Sequence, residues 1–220
     1  MEFTKQFLRA KNPCANGFRW FVRHVEDGVG YQQALDQLVA AGRVDDALWL
    51  LGQFGPTNAV LRADGLEAEA VVFAGTVQVR GGIDVDGVIH AGRSIHAGGG
   101  IRAGGAIVAG EDIRAGASIR GQGRLHCGGD LRAGQGIVAG GALTGAGHIE
   151  AGWGIRAAHD IVAQGAIKAG ESLVAGGVIR AGQGYGVYAG LNVQRDAWEA
   201  SAQVCASERP AGLLSGCWVA

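Results

Sequence analysis

Between Val71 and Leu191 an aliphatic residue, or once a tyrosine, returns at every sixth position, from Val71, Val77, Ile83 and Ile89 through to Ile179, Tyr185 and Leu191. The unit reads Ile-x-Ala-Gly-x-x. An amphipathic helix needs a period of about 3.6, and one hairpin would not hold a single phase over so long a tract. The pattern therefore predicts short strands and tight corners, repeated and stacked. Within a unit the Ile slot and the Ala slot two residues later share a direction, so both face inward and the residue between them faces water. Those outward residues run His90, His96, Arg102, Val108, Arg114, Arg120, His126, Arg132, Val138, Thr144, Glu150, Arg156, Val162, Lys168, Val174 and Arg180. A glycine usually follows the Ala slot, where a corner after three residues needs torsions that a Cβ resists.

The repeated Ile-x-Ala-Gly-x-x tract resembles the hexapeptide-repeat β-helices. That resemblance implies a mainly β fold, a single-stranded parallel β-helix with three sides and a left-handed course. Three hexads per coil give roughly seven coils, at about 4.8 Å each a rod some 30 to 35 Å long. The order of residues departs from that family, which sets its small residue two positions before the large one. The hand of the helix and the number of sides are thus left open by the residues themselves.

The flanks differ in kind. Residues 1–66 predict an α-helical N-terminal cap, residues 67–194 the solenoid, and residues 195–220 a C-terminal β-hairpin acting as a second cap or a dimerisation element. In the first segment the apolar spacing predicts helices from Phe18 to Val25, from Tyr31 to Ala41 and from Asp45 to Phe54, with Asp45 as an N-cap and Gly42 as a C-cap. Trp20, Phe21 and Trp49 are expected in a small core. At the other end, Trp198 to Cys205 and Leu213 to Val219 flank a Pro-Ala-Gly loop, the local signature of a hairpin. Caps are expected because a bare solenoid end exposes strand edges to runaway stacking.

Composition narrows the chemistry. With 19 basic and 20 acidic residues the net charge is −1, which disfavours nucleic acid as a partner, and the last helix of the N-terminal segment carries Asp45 and Asp46 where a DNA-reading helix would carry lysine or arginine. No apolar run is long enough to span a membrane and the start MEFTKQFLRAK has no signal core, so a cytoplasmic protein is expected. Cys14, Cys127, Cys205 and Cys217 have no metal-type spacing. The fold resemblance brings in hexapeptide acyltransferases and zinc-dependent carbonic anhydrases, whose histidines work between subunits. Here His90 and His126 fall two coils apart in one column, too far to share a metal, and no loop interrupts the repeat. Neither a catalytic residue nor a cofactor or metal site is expected, and an ice-binding face is excluded because threonine is scarce.

The sequence reads best as a non-enzymatic module presenting a rigid face or end to a protein partner, with a homodimer as one arrangement. The contact surface expected from it comprises Val108 and Val162 in one outward column, Val138 and Val174 in another, with Arg120, Arg156 and the corner residue Trp153, since arginine and aromatic anchors within apolar surface typify interfaces. Two alternatives stand beside it: a self-assembling structural protein similar to the bactofilins, and a hexapeptide-type acyltransferase. The pairing of CANGFRWF with the repeat also resembles uncharacterised bacterial and mobile-element proteins, which implies an inhibitor of a host defence protein as one form of the first reading.

Overall fold

The computed structural model describes residues 2–3, 5–26, 28–193 and 197–219. Its body is a parallel β-solenoid with three flat sides, each side one sheet, of nine, seven and nine strands. Side I stacks Val60–Ala63, Thr76–Val79, Ile95–Ala97, Ile113–Ala115, Leu131–Ala133, Ile149–Ala151, Ile167–Ala169, Val187–Tyr188 and Leu213–Ser215. Side II runs from Leu66–Ala68 through Ile119–Gly121, Ile137–Ala139, Ile155–Ala157 and Leu173–Ala175 to Gln203–Cys205 and Cys217–Val219. Side III runs from Val71–Phe73 to Ile179–Arg180. Through the middle coils the partners are three hexads apart, Ile101 on Ile119 and Ile119 on Ile137, so like stacks on like.

The inward assignment holds strand after strand. Ile89, Ile95, Ile107, Ile113, Ile119, Leu125, Leu131 and Ile137 have no solvent exposure, and the Ala slots between them are buried with them in one continuous core. Parallel strands fed by in-register corners satisfy the backbone along the rod, as in Ile119 N–H to Gly136 O at 3.0 Å and Gly134 N–H to Ala115 O at 3.0 Å.

The corner glycines are needed for a different reason from the one expected. Among the described residues the positive φ values fall at Asn12 and at Gly28, Gly42, Gly55, Gly184, Gly190 and Gly216, outside the regular corners. What the corners demand is closeness: a Cβ on Gly134 would lie 2.1 Å from the carbonyl oxygen of Gly116 one coil below. The spacing between coils, not a left-handed torsion, selects glycine there.

The ends depart from the hexad phase, and two sides therefore carry nine strands where roughly seven coils were expected. At the start, Leu61, Leu66 and Val71 stack on Val77, Ile83 and Ile89, so the first coil steps by five residues instead of six and the solenoid opens at Val60, ahead of residue 67. Near the finish Ile167 pairs with Val187, two positions beyond the sixfold count. Tyr185 and Leu191 continue the sixfold spacing but stand on the surface, half exposed, because Gly184 at φ 81° lets the chain loop out and Val187 takes the inward slot.

The expected C-terminal hairpin is absent. Gln203–Cys205 pairs in parallel with Leu173–Ala175 below and Cys217–Val219 above, and Leu213–Ser215 pairs in parallel with Val187–Tyr188. Two apolar runs around a Pro-Gly loop look alike locally whether the second returns beside the first or travels on to the next side. Here the solenoid's own edges outcompete antiparallel return, because each offers a ready ladder and a core slot, filled by Val204 and Leu213.

Among the described residues four helices precede the solenoid: α1 Lys5–Arg9, α2 Ala15–His24, α3 Tyr31–Ala40 and α4 Val44–Phe54. α3 ends in a Schellman turn, Gly42 N–H to Val39 O and Arg43 N–H to Leu38 O, with Gly42 at φ 70°. Asp45 is not the N-cap of α4. That place falls to Arg43, and Asp45 and Asp46 lie in the first turn, where they complement the helix dipole. Phe21 is buried beside Leu35, Leu38, Leu50 and Leu51, while Trp20 and Trp49 pack at the margin of this second core.

The helical segment sits against the flank of the first coil and borders its open end, where Asp36, Val39 and Ala40 of α3 line a cavity with Leu61, Leu66 and Phe73. Val72, which points outward from side III, and Ala74 belong to the helical core. Gln32 of α3 completes the joint: its side-chain amide donates to Val72 O at 3.0 Å and accepts from Ala74 N–H at 2.8 Å, pairing with the strand edge as a further strand would. One of the three starting edges is thereby closed. Val60–Ala63 and Leu66–Ala68 have no strand below them among the described residues.

Candidate protein-contact surface

The residues singled out in the sequence do not form one patch. On side III the outward column reads Val72, His90, Val108, His126, Thr144, Val162, Arg180, so Val108 and Val162 are separated by two polar positions. Val108 is half-buried at the foot of α4, in a cleft it shares with Leu48, Leu51, Pro56, His90 and His126. On side II the column reads Glu67, Asp84, Arg102, Arg120, Val138, Arg156, Val174, Cys205, each directly above the last. Arg120, Val138, Arg156 and Val174 are thus consecutive rungs. Trp153 stands exposed at the corner from which the strand bearing Arg156 starts, so five of the seven residues come together and Val108 and Val162 fall away.

Charge separates the sides further. On side I, Arg114 meets Asp112 at 2.8 Å, Arg132 meets Asp130 at 3.0 Å, and Glu150 lies 3.5 Å from Arg132 and 3.2 Å from Lys168. The pairing of Asp112 and Asp130 with arginines two residues on was legible in the sequence. Low on side II, Arg102 meets Asp84 at 3.3 Å. Higher up, no ion pair or side-chain hydrogen bond among the described residues holds Arg120 or Arg156, and Val138 between them is 40% exposed. Exposed ion pairs contribute only about 0 to 1 kcal/mol of stability, so the contrast matters less for folding than for what each side offers a partner.

Asp112 and Asp130 also do something the sequence reading missed. Asp112 Oδ1 accepts from Asp130 N–H, Asp130 Oδ1 from His148 N–H, and His148 Nδ1 from Ala166 N–H, all at 2.9 Å. One corner thus carries a ladder in which each side chain holds the backbone of the next coil. Its signal was available as acceptor side chains recurring once per coil, just before the aliphatic slot. The ladder fixes His148 in the tautomer with Nδ1 free to accept, and Tyr185 packs edge-on against its ring at 5.4 Å.

Among the described residues no three His, Cys, Asp or Glu side chains stand close enough to hold a metal ion. His126 Nδ1 is hydrogen-bonded to Thr144 Oγ1 at 2.8 Å. Cys127 fills an Ala slot, and burial pushes its thiol up to about 12, which keeps it protonated and unreactive. All four cysteines are free. No helix among the described residues is long and apolar enough to cross a membrane.

His90, in the cleft under α4, is held below the ordinary imidazole range by burial, then by Arg124 and His126. Its folded pKa is therefore lower than the unfolded value near 6.5, and the unfolded chain binds more protons as pH drops. The stabilisation is present above about pH 6.5 and is lost as pH falls through the folded pKa. The melting temperature should decline across that window, and His90→Gln should flatten the decline. An unchanged slope in the variant would show that His90 does not couple to folding.

A family model described as the YdhT N-terminal domain matches residues 1–54. The match ends where α4 ends, so it coincides with the helical segment and leaves the solenoid outside it. Comparisons with curated proteins and with solved structures gave no match. In its first 54 residues the chain is similar to the YdhT N-terminal domain.

Proposed function

We propose that the chain is a non-enzymatic binding module of the cytoplasm whose solenoid presents side II to a protein partner, in the manner of an inhibitor that covers its target. The observation that carries this reading is the stack Arg120, Val138, Arg156, Val174, two guanidiniums without acidic partners among the described residues alternating with β-branched apolar side chains on a rigid wall, with Trp153 at its edge. Ordering such a surface costs a partner little, because the strands are fixed before contact. Free guanidiniums beside apolar area suit a partner face with carboxylates around an apolar centre. Free thiols at all four cysteines suit a reducing compartment.

A photo-crosslinking residue placed at Val138 tests it in cells that produce the chain. A discrete protein adduct should form from Val138 and not from Arg114 on the self-neutralised side I. Exchanging Val174 for glutamate in the same chain should abolish the adduct without shifting the melting temperature. Equal labelling from both sides, or an adduct indifferent to Val174→Glu, would rule side II out.

A further inference from the structure

We propose that the C-terminal end of the solenoid is a self-association surface on which two copies of the chain meet end to end about a two-fold axis, forming a closed dimer. This stands apart from the reading of side II, since it rests on other residues at the end of the rod.

Leu213–Ser215 and Cys217–Val219 are the last strands of sides I and II, and among the described residues neither has a strand above it. An unpaired edge is a template for another chain, which soluble proteins blunt with charge, proline or a covering element. These edges are not blunted. Their sequences, Leu-Leu-Ser and Cys-Trp-Val, carry no charge, Leu214 is 68% exposed, and Val219, Trp198, Tyr185 and Leu191 stand exposed in the segment around them. The nearby charges of Glu208 and Arg209 sit in the loop between the strands of sides II and I.

The opposite end is managed differently. Its edge strands carry Arg62 and Glu67, Asp64 and Glu69 follow them, Arg80 is paired with Asp64, and the third edge is taken by Gln32. Stacking the apolar end of one copy on this charged end of another would bury unpaired charge, so head-to-tail growth is disfavoured.

The shape of the apolar end specifies its occupant. Two strand edges lie on adjoining sides and meet at a one-residue corner, Gly216 at φ 125°. A partner must present two edges at the same angle; the far end of a second copy offers Val60–Ala63 and Leu66–Ala68 together with the charges just named, whereas the same end offers two uncharged edges. A two-fold axis through that corner sets the side I edge of each copy against the side II edge of the other, with the strands antiparallel, so both edges are consumed at once. Such an interface is isologous and closes at two.

Light scattering and sedimentation of the full chain should rise from the 22.4 kDa chain mass to twice that mass between low and high micromolar concentration. Leu214→Lys with Val219→Lys should return it to one chain mass with unchanged far-ultraviolet circular dichroism, whereas Glu67→Ala at the far end should leave the dimer intact. In the unaltered protein, amide exchange over residues 213–219 should slow as concentration rises. A single-chain mass throughout, masses growing beyond two chains, or a dimer that survives both lysines would overturn the proposal. Should the double variant fold poorly, exchange over 213–219 that ignores concentration in the unaltered protein would overturn it equally.

Discussion

Replacing Ile137 by alanine is expected to cost about 2 to 5 kcal/mol of unfolding free energy, near the upper end of that range. Ile137 lies in the middle of side II with no solvent exposure, stacked between Ile119 and Ile155. Truncation leaves a cavity, and the size of the penalty depends on how far the surroundings can collapse into it. Here they cannot collapse far, because the strands above and below are held at the ladder spacing of about 4.8 Å by hydrogen bonds along all three sides. Ile137→Val keeps most of the volume and should cost about 0.5 to 1.5 kcal/mol. Denaturant unfolding followed by circular dichroism and by tryptophan fluorescence would measure both, and the two probes together would report whether the rod unfolds as one unit. Equal unfolding of parent and Ile137→Ala would refute the inward assignment.

The second large effect is expected from removing residues 1–56. The cut leaves the first coil whole, since its strands begin at Val60, but strips the cover from Val72 and Ala74, which are 3% and 0% exposed in the intact chain. It also withdraws Gln32, leaving the carbonyl of Val72 and the amide of Ala74 unpaired on an open edge. All three starting edges would then be bare, and the truncated chain should associate or precipitate while keeping its β-type circular dichroism. Gln32→Ala probes one element of this: the two unpaired backbone groups should cost about 1 to 3 kcal/mol with little change in solubility. A truncated chain with the same number of copies per particle as the parent at every concentration would show that the helical segment is dispensable for covering the rod.

The middle of this fold was open to reading from residue pattern alone because its forces are local and identical in every coil. Ile95, Ile113, Leu131 and Ile149 each solve the same packing problem, so one phase places them all. The ends solve different problems. Leu61, Leu66 and Val71 belong to a coil with no strand beneath it among the described residues, whose corners can shed a residue, and the sixfold count that starts at Val71 misses Leu61 and Leu66. Tyr185 and Leu191 fit the count and are exposed, since two extra residues admitted by a loop at Gly184 shift the core slot to Val187. Leu213–Ser215 and Cys217–Val219 have strand-like composition, but whether such segments pair with each other or with a distant edge is a tertiary matter.

The contact surface was legible in part for the same reason. Folding three hexads into each coil is enough to stack Arg120, Val138, Arg156 and Val174 correctly. It could not say that Val108 would lie beneath α4, because the docking of the helices on side III depends on Val72 and Gln32, which carry no repeat signal.

Since every middle coil has the same length of three hexads and its strands pair with those of the coils above and below, the rod behaves as a graduated spacer. Duplicating one coil would move the helical segment and the C-terminal strands apart by a single graduation of about 4.8 Å, leaving the attachments at either extremity as they are. The reach between those two extremities is thus an integer multiple of one step, which natural tandem duplication can change without redesigning either.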